Sequence, residues 1–63
     1  MNVNKLRGVM AEKRYTYKKM AKVIGITPKT FSEKLKKGVF NSDEIKIMAK
    51  ELDLSDPWTI FFS

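Results

Sequence analysis

Only three residues, Gly25, Ile26 and Thr27, separate two stretches with helical patterning. A join this short cannot reverse the chain, so the two helices must cross steeply, as in a helix-turn-helix. The flanking residues suit that geometry. Ala21 is the small side chain needed where the second helix crosses closely, and Gly25 tolerates the positive φ that the turn demands. Ile26, Phe31 and Leu35 are spaced to hold the second helix against a core. The plainer reading is that Ala and Gly four apart are common in helical proteins, and that the pair is ordinary packing. That reading leaves unexplained why the outward face of the second helix, Lys29, Ser32, Glu33 and Lys36, holds no large apolar residue and lies in a basic region.

The same patterning extends along the chain. Val3, Leu6 and Met10 form one stripe and predict a helix from about 3 to 13. Thr16 is a suitable N-cap for a second helix with Tyr17, Met20, Ala21 and Ile24 inward, stopping at Gly25. Thr27-Pro28 restarts helix, because Thr caps with its hydroxyl and Pro at the first helical position has its φ already set. This third helix runs to about Lys37 and stops at Gly38. Asn41 and Glu44 form a capping box, with Phe40 and Ile45 as its hydrophobic staple, for a fourth helix over about 42–52. Its inner stripe is Ile45, Met48, Ala49 and Leu52. Ser55-Asp56-Pro57 opens a short fifth helix to about Phe61. No segment alternates with period two, so the fold class is all-α, with four to five helices in one domain over residues 1–63.

Composition narrows the function. The 63 residues contain no Cys and no His, which removes disulfides, thiolate metal sites, the usual zinc ligand and the usual catalytic base. The few carboxylates are dispersed, and a domain of this size hides only roughly 60% of its unfolded surface. An enzyme, a metal and a cofactor are therefore not expected. No apolar run approaches the ~18 residues of a membrane helix, and no signal peptide is evident, so a cytoplasmic location is expected.

The net charge of +6 is unevenly placed. Residues 1–41 carry eleven Lys and Arg against two acids, a balance of +9, whereas 42–63 carry two Lys against five acids, a balance of −3. A basic stretch in a small domain is an electrostatic footprint for polyanions, nucleic acid before anionic membrane. The alternative is a solubilising lysine coat.

The stretch Tyr17-Lys-Lys-Met-Ala-Lys-Val-Ile-Gly-Ile-Thr-Pro-Lys-Thr-Phe-Ser-Glu-Lys-Leu-Lys-Lys-Gly38 resembles the helix-turn-helix of the Cro/repressor (XRE-like) family, small regulators of phages and prophages. Leu6-Arg7, the Phe40-Asn-Ser-Asp-Glu-Ile45 opening of the fourth helix and the Asp56-Pro-Trp-Thr-Ile-Phe-Phe62 ending extend the resemblance over essentially the whole chain. It implies a lambda-repressor-like domain that binds an operator as a dimer in the cytoplasm of a bacterial host and acts as a repressor. Two positions depart from the family. Tyr17 stands where Gln is usual, a residue that braces a phosphate and the recognition helix, and Lys19 replaces a usual acid.

In such a motif the second helix lies in the major groove with its N-terminal half at the base edges, so Pro28, Lys29, Ser32 and Glu33 are the candidate base contacts. Lys29 suits guanine O6/N7 and Glu33 suits cytosine N4, with Ser32 able to serve either. Lys18, Lys19, Thr27, Lys36 and Lys37 are candidate phosphate contacts. Glu33 could instead pair locally with Lys29, Lys36 or Lys37. At the C-terminal end Trp58 and Phe61 are expected to close the core, while Ile47 with Ile60 or Phe62 is a candidate dimer or partner surface. Two functions compete: a DNA-binding regulator on a palindromic operator, and a protein-interaction module that binds another repressor as an antirepressor.

Overall fold

The computed structural model describes residues 1–62 and consists of α1 (Val3–Glu12), α2 (Tyr17–Ile24), α3 (Pro28–Lys37), α4 (Ser42–Glu51) and α5 (Trp58–Phe61). No strand occurs among the described residues. Each long helix starts where a side-chain oxygen takes up a backbone N–H that the helix itself cannot satisfy. Asn2 accepts from the Lys5 N–H, Thr16 from Lys19 and Thr27 from Thr30. At α4 the exchange is reciprocal: Asn41 Oδ1 accepts from the Glu44 N–H at 2.8 Å, and Glu44 Oε1 accepts from the Asn41 N–H at 2.9 Å. The capping box read from the sequence is present.

The helix ends follow one rule. Just past each of α1 to α4 lies a residue with positive φ: Arg14 (62°), Gly25 (92°), Gly38 (69°) and Asp53 (52°). In every case the next N–H turns back to a carbonyl five residues earlier, Tyr15 to Met10, Ile26 to Ala21, Val39 to Lys34 and Leu54 to Ala49, at 2.7–3.1 Å. These are Schellman closures. They end α1 and α4 one residue earlier than the apolar stripes suggest. Only at Gly25 and Gly38 does a glycine hold the left-handed position.

The core comprises Leu6 and Met10 of α1, Met20 and Ala21 of α2, Phe31 and Leu35 of α3, Phe40, Met48 and Leu52 around α4, and Ile60 and Phe61 of α5. Burying each such large apolar side chain contributes roughly 1.5–3 kcal/mol. Ala21 is 0% exposed. That burial accords with its place at the α2–α3 crossing, where α2 packs on α3 and, beyond it, on α4. Phe31 anchors α3 from behind, its ring 5.4 Å from that of Tyr17 and 5.5 Å from that of Phe40. The last helix docks on α1, where the Asn2 N–H donates to the Ile60 carbonyl at 2.6 Å.

Two expectations at the C-terminal end are corrected. Trp58 does not close the core, being 68% exposed, with its ring against that of Phe62 at 4.6 Å. Ile60 does not belong to an exposed surface, being 2% exposed. A single turn docked on α1 presents one face inward, and Ile60 and Phe61 occupy it, so Trp58 and Phe62 fall on the other. Helix α5 begins at Trp58, with Pro57 in the cap position, while Asp56 Oδ1 accepts from the Trp58 N–H.

Candidate nucleic-acid interface

The ten residues of α3 span about 15 Å at the usual rise, and they divide cleanly by environment. Phe31 and Leu35 are fully buried, whereas Pro28, Lys29, Glu33, Lys36 and Lys37 are exposed and Ser32 is half-buried. At 100° per residue, Lys29, Glu33 and Lys36 fall within one narrow stripe, with Ser32 on its flank. Of the sequence-predicted base-reading residues, Lys29 and Glu33 therefore share one outward face with Ser32 at its edge, whereas Pro28, at the first position of α3, lies off that stripe. Among the described residues Glu33 pairs with none of Lys29, Lys36 and Lys37, since the ion pair present joins Lys34 to Glu44. Its carboxylate and the Lys29 ammonium face solvent.

The candidate phosphate contacts differ in availability. Lys18, Lys19, Lys36 and Lys37 are all exposed. Lys19 is nonetheless held: its Nζ lies 4.5 Å from the centroid of the Tyr15 ring, and the Tyr15 hydroxyl donates to the Glu51 carboxylate on α4. That hydrogen bond, with burial and the Glu51 charge behind it, raises the Tyr15 phenol above its ordinary value of 10.0. Thr27 is committed internally. Its Oγ1 accepts from the Thr30 N–H and donates to Thr30 Oγ1 at 2.9 Å, so a phosphate oxygen meets a hydroxyl whose proton is already directed elsewhere. Tyr17, at the position usually held by Gln, is half-buried and braces α3 through its ring contact with Phe31.

Reading the sequence did not reveal how α3 is tied to α4. Lys34 Nζ donates to Glu44 Oε2 at 2.6 Å, and Glu44 is only 6% exposed. Burial pushes the Glu44 carboxyl up. The Lys34 hydrogen bond, the Asn41 N–H and the Lys34 charge together outweigh it and leave the group below its ordinary value of 4.5. The capping box gave Glu44 a local role, and no sequence signal linked it to a lysine ten residues earlier. Lys34 is thereby withdrawn from the cations that can meet a polyanion, and the C-terminal half of α3 is fixed to the start of α4.

Two packed helices joined by Gly25-Ile26-Thr27, with a buried alanine in the first, a left-handed glycine in the turn and a polar, cationic outer face on the second, define a helix-turn-helix DNA-binding domain. The family model for the Cro/C1-type HTH DNA-binding domain matches residues 5–57, and the chain belongs to that family. No curated protein and no solved structure matches it. Among the described residues no helix is long and apolar enough to cross a membrane.

Proposed function

We propose that this DNA-binding regulator is a sequence-specific repressor of the Cro kind, from a phage or prophage, working in the cytoplasm of a bacterial host. Residues 1–63 act as one domain that places α3 in the major groove of a palindromic operator. Lys29, Ser32, Glu33 and Pro28 read base edges; Lys18, Lys19, Lys36 and Lys37 meet phosphates and set the register. The observation that carries this reading is the outer face of α3, where Lys29, Glu33 and Lys36 are exposed opposite the buried Phe31 and Leu35 with no large apolar residue among them. Dimerisation is assigned to the exposed apolar residues away from that face, Ile47, Phe62 and also Trp58. The acidic balance of residues 42–63 supports this division, since a surface turned away from DNA has no use for positive charge.

A mobility-shift titration tests the reading, using the intergenic DNA upstream of the protein's own gene and a random duplex at two salt concentrations. About four to six phosphate contacts per subunit give a log–log slope near −0.9 per contact. The upstream DNA must bind more tightly than the random duplex. A salt slope near zero refutes the DNA-binding reading. The exposed Trp58–Phe62 pair supports a second reading, an antirepressor that docks these aromatics on another repressor, since aromatic anchors are typical of protein interfaces. Absence of any preferred DNA, together with retained capture of a partner repressor, selects it.

A further inference from the structure

We propose that Arg14 is an anchoring contact to the DNA backbone, outside the helix-turn-helix itself, held in a conformation that its own side chain disfavours. The inference rests on the reading of the chain as a DNA-binding regulator. Four helices end in the same left-handed closure, and glycine, which adopts it freely, fills two of the four positions. Asp53 holds another, and Asp is among the residues that tolerate this region. Arg14, at φ 62°, is not of that kind. The backbone there is held by the α1 closure, in which the Tyr15 N–H donates to the Met10 carbonyl at 2.7 Å. A long side chain with a Cβ nonetheless stands where glycine would make the same closure without strain, and no contact of that side chain inside the domain repays it. Among the described residues its guanidinium makes no ion pair, hydrogen bond or ring contact, and the residue is exposed.

Its surroundings point to a phosphate. Residues 13–22 hold Lys13, Arg14, Lys18, Lys19 and Lys22 with no acid. Arg14 lies two residues before Thr16, the N-cap of α2, and in a helix-turn-helix this first helix crosses the DNA backbone. The guanidinium fork matches a phosphate in two parallel hydrogen bonds, which Lys13 beside it cannot do. An internal explanation is available in principle, a cation set against the negative C-terminal end of α1. It predicts the opposite sign for the same substitution.

Arg14→Gly therefore separates the two. If Arg14 anchors DNA, the variant melts about 4–8 °C higher as the strain is released. It also binds specific and random duplexes more weakly by a common factor, with a log–log salt slope shallower by about 0.9. Between about 50 and 200 mM salt it then loses about 3.5-fold less affinity than the parent. Arg14→Lys keeps the slope and gains no stability. Asp53→Gly makes the same left-handed replacement without removing a cation; because Asp tolerates this region, it raises the melting temperature by less than Arg14→Gly and leaves the slope no shallower. An Arg14→Gly slope equal to the parent's, or a melting temperature below the parent's, overturns the proposal. A parent slope near zero on random duplex overturns the DNA-binding reading beneath it, which is a distinct result.

Discussion

Lys34→Ala tests how the recognition helix is held. The substitution removes the cation from a carboxylate that is 6% exposed and leaves Glu44 with the Asn41 N–H as its remaining donor at Oε1. Breaking a fully buried pair costs about 3–5 kcal/mol, and breaking an exposed pair costs about 0–1 kcal/mol. Here the Lys34 side chain is 30% exposed, so solvent screens part of the attraction and the expected loss at neutral pH is about 2 kcal/mol. For a domain of this size that lowers the melting temperature by roughly 8–16 °C. The pH dependence carries the diagnosis. In the parent, the folded Glu44 carboxyl lies below its ordinary value of 4.5, so its stabilisation is complete above that value and is lost as pH falls through the lower folded value. In Lys34→Ala, burial is the largest remaining influence and acts in the opposite direction, so protonation relieves the variant. The gap between parent and variant must narrow on going from pH 7 to the acid side of 4.5, while carboxylates common to both cancel in the difference. Thermal unfolding followed by circular dichroism across that range measures it. A gap of the same size at both ends shows that lost packing of the lysine stem, not the ion pair, explains the effect.

Ala21→Leu overpacks the α2–α3 crossing and costs about 1–3 kcal/mol, read by the same thermal unfolding. A variant as stable as the parent would move the crossing elsewhere. Lys29→Ala and Glu33→Ala sit on exposed helical positions that Ala suits, so both fold normally, and a base-by-base operator scan shows relaxed preference at one symmetric pair of positions each. For Lys29 the loss at the preferred base is about 1–3 kcal/mol, with random-duplex affinity changed far less. Trp58→Ser with Phe62→Ser removes exposed aromatic surface without touching the core, and sedimentation should show weaker self-association at unchanged melting temperature.

The helix-turn-helix was legible because local chemistry and tertiary demand coincide there. Thr16, Gly25, Thr27 and Pro28 fix where helices start and stop through their own backbone preferences, and Ala21 and Phe31 meet the packing that those breaks impose. The polar outer face of α3 was legible for the same reason, since period alone places Lys29, Glu33 and Lys36 opposite Phe31 and Leu35. Three features lie beyond such reasoning. From sequence, Trp58 is expected inside and Ile60 on an exposed surface, and which one is inside depends on how a four-residue helix rolls onto α1, where the Asn2 N–H donates to the Ile60 carbonyl across opposite ends of the chain. Glu44 had a complete local explanation in its capping box, which concealed its partnership with Lys34. Arg14 carries no residue-type signal for the left-handed region and Asp53 only a weak one, so the closures of α1 and α4 emerge from the backbone.

The N-terminal residues connect these features. A Cβ added at Gly38, the left-handed stop of α3, would meet Val3 Cγ2 at 3.6 Å and Met1 Cβ at 4.0 Å. The intervening Asn2 donates to Ile60 of α5. One short segment thus touches both the C-terminal end of the recognition helix and the helix that displays Trp58 and Phe62. With Glu44 fixing α3 to α4 from the other side, the end of the recognition helix has little freedom to move relative to that aromatic pair. A second copy seated on Trp58 and Phe62 would then hold its own α3 at a distance set by this rigid frame. The half-site spacing of the operator becomes a property of the frame, with centres roughly one helical turn, about 34–36 Å, apart. Inserting base pairs between half-sites should therefore weaken cooperative binding with no recovery when a full turn has been added, because that turn moves the half-site centres about 34 Å further apart than a rigid frame can span.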